Sequence, residues 1–375
     1  MNRVVVFRAD ASLQMGTGHV MRCLTLADAL SVAGAKCEFI CRAHPGNLLD
    51  LIRSQGYTAH ELAVSPGLPG AGVSRCDTES SEQSPAHGHW LGASQSEDAA
   101  ACAPILAELQ PDWLIVDHYA LDARWEQALK PHYRRLMVVD DLADRPHACD
   151  LLLDQTFGRQ SGDYRLWVPG DCQVLCGSGY ALLRPEFAAL RSYSLQRRVK
   201  PQLRQLLITM GGIDKDNATG RVLDALRESP LPDDCRIIVV MGPKAPWLNK
   251  VKHQALTMPW PTEVLVGVSD MARLMADSDL AIGAAGATSW ERCCLGLPTI
   301  MLVLADNQRQ VAQGLEQGQA ARIIERLQDI GSCLPKLLRH LTEHPAALQL
   351  MSQSATRIVD GKGVNSVVHL LETLT

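Results

Sequence analysis

Near its start the chain reads Gly16-Thr17-Gly18-His19, between the apolar run Val4-Val5-Val6-Phe7 and a helical pattern at Met21, Leu24, Leu26, Ala27 and Leu30. A glycine turn of this kind delivers an imidazole to the first turn of a helix. Partial positive charge there disfavours the imidazolium form. An uncharged imidazole can take a proton from water, so His19 is the candidate general base, set against a plain packing role. Asp10 stands at the end of the strand-like run, before the glycine turn. It is expected to orient His19 or its water, or to tie the turn by hydrogen bonds. Asp117 and Tyr119 stand behind these as further candidates. The glycine spacing is not a dinucleotide fingerprint, because Met21 occupies the third glycine position and no strand-terminal acid follows at the ribose distance. A phosphate loop of the form G-x-x-x-x-G-K-[ST] is absent from the sequence.

The second half carries a different set. Met210-Gly211-Gly212-Ile213-Asp214, Met241-Gly242-Pro243 and Ala284-Ala285-Gly286-Ala287-Thr288-Ser289 each follow an apolar run. Small residues at strand ends let backbone N–H groups approach an anion, and three such loops suggest a diphosphate site. Thr288 and Glu291 have the spacing of a capping box. The alternative for Glu291 is a carboxylate that grips two vicinal ribose hydroxyls. Asn307 and Gln308 follow the next strand and can hydrogen-bond sugar hydroxyls.

Alternating strand and helix patterns must position these groups. Residues 3–40 read as a βαβ unit, with Cys37–Cys41 as its second strand. Three later strands end on acids, at Asp117, Asp140-Asp141 and Asp154, which predicts one carboxyl edge of a parallel sheet. Residues 65–100 are Ser-, Gly- and Pro-rich and predict a partly mobile surface loop; His87 and His89 lie in it. Residues 186–204 lose strand character and read as a link, after which the βα rhythm restarts, with a helix over 217–228 capped by Asn217. The expected class is α/β, with two Rossmann-like doubly wound domains, 1–195 and 196–375, and an active site in the interdomain cleft. Whether the last helix crosses back to the first domain is left open.

Bulk properties exclude much else. The 375 residues suit two domains, and a net charge of −5 gives no nucleic-acid or acidic-membrane surface. No secretory signal and no apolar run of spanning length is visible, so a cytoplasmic location is expected. The twelve cysteines contain no C-x-x-C and read as reduced core residues, with no metal site expected.

Six segments taken together carry a family resemblance: "RADASLQMGTGHVMRCLTLA", "DWLIVDHYALDARWE", "DDLADRPHACDLLLDQ", "GYALLRPEF", "GGIDKDNAT" and "GATSWERCCLGLPT…ADNQ". The chain resembles the UDP-sugar hydrolases of pseudaminic acid biosynthesis. These act on UDP-2,4-diacetamido-2,4,6-trideoxy-β-L-altropyranose and share the GT-B architecture of MurG-type glycosyltransferases. The resemblance implies His19 as the catalytic histidine, Glu291 as the nucleotide-binding acid and Gly211-Gly212 as the glycine loop. On this reading His19 and Asp10 are catalytic. Gly16, Gly18, Arg22, Tyr119, Asn307 and Gln308 meet the substrate, and Gly211, Gly212, Gly242, Thr288, Ser289 and Glu291 meet the nucleotide. The expected reaction is inverting, metal-independent hydrolysis of the anomeric C–O bond. Its partners are a UDP-sugar and water; no cofactor, nucleic acid, membrane or obligate protein partner is expected. A glycosyltransferase using the same donor, or a non-catalytic nucleotide-sugar sensor, are the alternatives.

Overall fold

The apolar runs form two wholly parallel sheets in the computed structural model, which describes residues 3–64 and 85–374; the side chain of Asn307 also lies outside the described residues. The first sheet contains β1 (Val4–Ala9), β2 (Lys36–Arg42), β3 (Thr58–Leu62), β4 (Trp113–Asp117), β5 (Arg135–Val139), β6 (Leu151–Asp154) and β7 (Gln173–Cys176). Their order is β3-β2-β1-β4-β5-β6-β7. Strands β4 and β6 are buried along their whole length, which is why they read as unbroken apolar runs rather than alternations. One face packs Phe7, Phe39, Trp113 and the helix Gly18–Val32; the other packs Leu114, Val116, Trp125 and the helix Gln95–Leu109.

The second sheet contains β8 (Gln205–Thr209), β9 (Arg236–Met241), β10 (Thr262–Val266), β11 (Leu280–Ala284), β12 (Thr299–Leu302) and β13 (Ala321–Ile324), in the order β10-β9-β8-β11-β12-β13. Strand order therefore reverses between β1 and β4 in one sheet and between β8 and β11 in the other. Open α/β sheets bind ligands in the crevice beyond the carboxyl ends of strands at such a reversal.

The chain divides into two units, residues 1–182 with 364–375, and residues 183–363. The boundary expected at 195/196 therefore moves. The segment read as a link is largely a helix, Pro185–Arg197, and it is bound into the second unit. Arg191 donates to the carbonyls of Cys294, Thr356 and Val359, and the Ser194 hydroxyl donates to Leu295 O. The last helix, Gly363–Thr373, sets Val364, Val367 and Leu371 in the core of the first unit.

Two further expectations change. Of the loop expected over 65–100, residues 65–84 lie outside the described residues. Its end is structured: Gly88–Trp90 form a single turn, and Ser94 opens the helix Gln95–Leu109 with a capping box to Glu97. The helix Thr288–Cys294 begins one residue earlier than a capping box requires. Ala287 is its N-cap, so Thr288 lies inside the helix and no side chain caps it. Asn217 does cap the helix Ala218–Leu226, its side chain accepting from Gly220 N.

Candidate active site

The turn between β1 and its helix is built by backbone bonds. Gly16 takes φ +80°, Gly16 N donates to Ser12 O at 2.9 Å, and Ser12 Oγ accepts from the N–H groups of Gln14 and Met15. A side chain is strained at that φ, so glycine is required at 16. The turn ends at Thr17, and the helix starts at Gly18 with His19 in its first turn.

Parallel pairing aligns Ala9 of β1 with Asp117 of β4. This register sets His19 against Asp117 at the strand-order reversal, with His19 Nδ1 2.6 Å from Asp117 Oδ1. Burial pushes Asp117 up, but Arg22 and His19 outweigh it and hold the carboxyl far below its ordinary range. Asp117 is thus a carboxylate and can only accept. Nδ1 must therefore carry the proton toward it, and in the neutral ring Nε2 holds the lone pair. Nε2 has no hydrogen-bond partner among the described residues, and 9% of the side chain stays exposed, enough for water to reach it.

Arg22, one helical turn on, braces this pair. Its Nε donates to Asp117 Oδ2 at 2.5 Å, Nη2 to Asp117 Oδ1 at 2.7 Å and Nη1 to Asp141 Oδ2 at 2.6 Å. Arg22, expected to meet substrate, holds two carboxylates with its guanidinium and positions them. Removing one partner of a buried ion pair typically costs 3–5 kcal/mol. Arg22→Met is accordingly expected to destabilise the protein by about that amount, read as a lower urea midpoint.

Tyr119 joins the same cluster. Its hydroxyl donates to Asp141 Oδ2 at 2.8 Å, and its ring meets His19 edge-on, centroids 4.6 Å apart. Asp141 Oδ1 is buried and has no hydrogen-bond partner among the described residues. His87 and Trp90 pack beside Tyr119, at centroid distances of 5.6 and 6.0 Å. Sequence reading assigned no role to Asp141 or Trp90. The available signal for Asp141 was its place after an apolar strand in line with Asp117.

Asp10 is the main correction in this unit. It is fully buried and accepts from Arg8 Nη1 at 2.6 Å, Arg8 Nη2 at 2.9 Å and Arg42 N at 2.7 Å, while His118 Nε2 lies 3.2 Å away. Arg8 and Arg42 also bind Asp98. Asp10 belongs to this sealed network and makes no contact with His19 among those described.

In the second unit, Gly211 takes φ +87° in open space. Gly242 is needed for a different reason: a Cβ there would lie 2.0 Å from Gly212 O, so the two glycine loops touch. Asp214 accepts from the N–H groups of Ala218 and Thr219. Ser289 is buried, its N–H donates to Gly286 O and its hydroxyl accepts from Arg292 Nη2, so its side chain is already engaged. Gln308 Oε1 accepts from Leu304 N, which ties its own loop. Glu291 lies 4.0 Å from Arg184 with its side chain 19% exposed; burial pushes its carboxyl up to about 7 against the pull of Arg184.

Two doubly wound parallel units, each with small-residue turns or polar clusters at its strand-order reversal, define the GT-B fold. The crystal structure of Acinetobacter baumannii MurG matches with a TM-score of 0.69 at 16% identity, over the whole of both chains. The Staphylococcus aureus MnaA–UDP co-structure matches with a TM-score of 0.59 at 13% identity, over 99% of this chain and 97% of that one. In sequence, residues 206–368 match the glycosyltransferase family 28 C-terminal domain. The chain is 26% identical over 311 residues to the UDP-2,4-diacetamido-2,4,6-trideoxy-beta-L-altropyranose hydrolase of Campylobacter jejuni, covering 83% of this chain and 95% of that protein. It is 29% identical over 213 residues to the spore coat polysaccharide biosynthesis protein SpsG of Bacillus subtilis; that match covers 56% of this chain and 61% of SpsG.

Proposed function

We propose that this chain hydrolyses the anomeric C–O bond of a UDP-linked 2,4-diacetamido-2,4,6-trideoxyhexose, with inversion, releasing UDP and the free sugar. The observation that carries the reading is the His19–Asp117 pair, whose geometry leaves Nε2 as a lone-pair acceptor open to water. In the proposed step Nε2 takes a proton from water as the water oxygen bonds to the anomeric carbon. The C–O bond to UDP breaks, and its electron pair leaves on the diphosphate. The imidazolium that forms is stabilised by Asp117. A single displacement by one water implies inversion. The similarity to the Campylobacter hydrolase across 83% of this chain supports this substrate class.

The nucleotide is assigned to the second unit, with Gly211, Gly212 and the first turn of the helix Thr288–Cys294 facing the diphosphate, and Glu291 facing the ribose. Glu291 gives that assignment a pH signature. A carboxyl held up to about 7 is largely protonated below neutrality. Accepting two ribose hydroxyls favours the carboxylate, so affinity for a UDP-hexose, whose diphosphate does not titrate near neutrality, is expected to rise as pH increases through about 7. Calorimetry across that range checks it; the rise should vanish in Glu291→Gln, and a flat wild-type profile removes Glu291 from ribose recognition.

A second reading, transfer of the sugar to an acceptor, is favoured by the family 28 match over residues 206–368. Incubating the UDP-sugar in ¹⁸O-water, with chelator and without acceptor, separates the two by NMR. Hydrolysis predicts catalytic release of inverted free sugar with ¹⁸O at the anomeric carbon and none in UDP. Turnover only on adding an acceptor favours transfer.

A further inference from the structure

A buried cation lies beneath the glycine loops of the second unit. Arg292 is 1% exposed on the helix Thr288–Cys294. Its Nη2 donates to Ala284 O at 2.7 Å and Ser289 Oγ at 3.2 Å. A Cβ built on Gly283 would lie 2.3 Å from Arg292 Nη1 and 2.9 Å from Thr209 O. The guanidinium is therefore wedged where β8 and β11 end side by side, at the strand-order reversal. Met210–Gly212 and Ala285–Gly286 follow directly on these two strands. Only glycine at 283 makes room.

The neighbouring Glu291 acts on this charge only at a distance, without a hydrogen bond or ion pair to it among the described residues. Arg292 Nε and Nη1 have no hydrogen-bond partner, and no carboxylate forms an ion pair with it among the described residues. The adjacent Cys293 cannot serve, because burial pushes its thiol up to about 12 and keeps it neutral. Glu291 is itself pushed up to about 7 by burial, against the pull of Arg184 and, more weakly, of Arg292, so it is only partly ionised at neutral pH; the residue within ion-pair reach of it is Arg184, at 4.0 Å. Burial draws the guanidinium down only to about 10, so it is charged at neutral pH. An uncompensated buried charge is strongly unfavourable, and native structures pair such charges or satisfy them with a bound ion.

We propose that Arg292 is the buried counter-charge for the phosphates of a bound nucleoside diphosphate, acting from beneath the two glycine loops as a positioning residue. This rests on the reading that the second unit binds UDP. Electrostatic attraction at this depth is weakly screened, because the low-dielectric interior lies between cation and anion. The loops contribute backbone N–H groups of the kind that cradle phosphate, and the arginine contributes the net charge they lack.

The test compares UDP with uridine on the full chain, by calorimetry, in the wild type, Arg292→Met and Arg292→Gln. Glutamine keeps a polar, uncharged amide in place of the guanidinium, and methionine removes the polar group altogether. Both variants are expected to lose ~10–100-fold in UDP affinity, the scale of one buried charge acting across several ångströms at an effective dielectric of about 20, and, at a pH well above 7 where Glu291 is ionised in every variant, to bind uridine as the wild type does. Arg292→Lys should recover much of the UDP preference. A merely structural arginine would weaken both ligands equally. Removal of an unbalanced charge should also leave the ligand-free melting temperature unchanged or raised, while the rise produced by UDP shrinks. A folded charge-free variant that keeps the wild-type preference for UDP over uridine overturns the inference alone. A wild type that binds neither ligand overturns the nucleotide reading beneath it.

Discussion

His19→Ala is expected to lose turnover by about 10²–10⁴-fold, the usual contribution of a positioned general base, while affinity for UDP is retained. Both halves follow from placement. The imidazole offers Nε2 to water and commits Nδ1 to Asp117, and its described partners Asp117 and Tyr119 belong to the first unit, not to the one assigned to UDP. The alanine variant should fold, because Arg22 still bridges Asp117 and Asp141 without the ring. Steady-state kinetics with parallel UDP titration measures it. Unchanged turnover in a folded His19→Ala protein removes the base from the mechanism.

Asp117→Asn should be nearly as severe, about 10³–10⁴-fold in kcat, with KM little changed. The substitution is almost isosteric but replaces an obligate acceptor by an amide that can donate. A donating amide at Nδ1 moves the ring proton to Nε2, the wrong tautomer for accepting a proton from water. The change also strips Arg22 of a charged partner on which two of its three hydrogen bonds converge. A urea titration alongside the kinetics separates lost stability from lost chemistry. A fall in kcat of less than about tenfold with a normal fold would mean that Asp117 only packs against the ring.

Much of this arrangement is legible in the residue order, for reasons that also mark where legibility stops. Central strands such as β4 and β11 are buried on both faces and announce themselves as apolar runs. Edge strands β3 and β10 are half exposed and alternate irregularly, and no strand is apparent there from sequence. The glycine turn gives His19 its helix because that geometry is local. Its carboxylate partner is 98 residues away and is fixed by the pairing of β1 with β4. Its place at the strand end before the glycine turn favours Asp10 instead, yet Asp10 is drawn into the Arg8–Asp98 network by a register no local pattern encodes. Thr288 and Glu291 fit a capping box by spacing alone; the helix simply starts one position earlier. The unbalanced Arg292 is invisible until the absence of neighbours can be seen.

The helix Gly363–Thr373 has a consequence for biosynthesis. Its Val364, Val367 and Leu371 complete a core whose other members begin at Val5, and Arg3 Nη2 donates to Glu372 O at 3.1 Å. The segment 183–363 is continuous, whereas its companion is interrupted in the chain. On the ribosome, the strands made first must wait for that final helix before their core closes, while the later-made segment can fold as a contiguous piece. A nascent chain arrested before residue 363 should therefore present its amino-terminal half to proteases and chaperones as an unfinished structure.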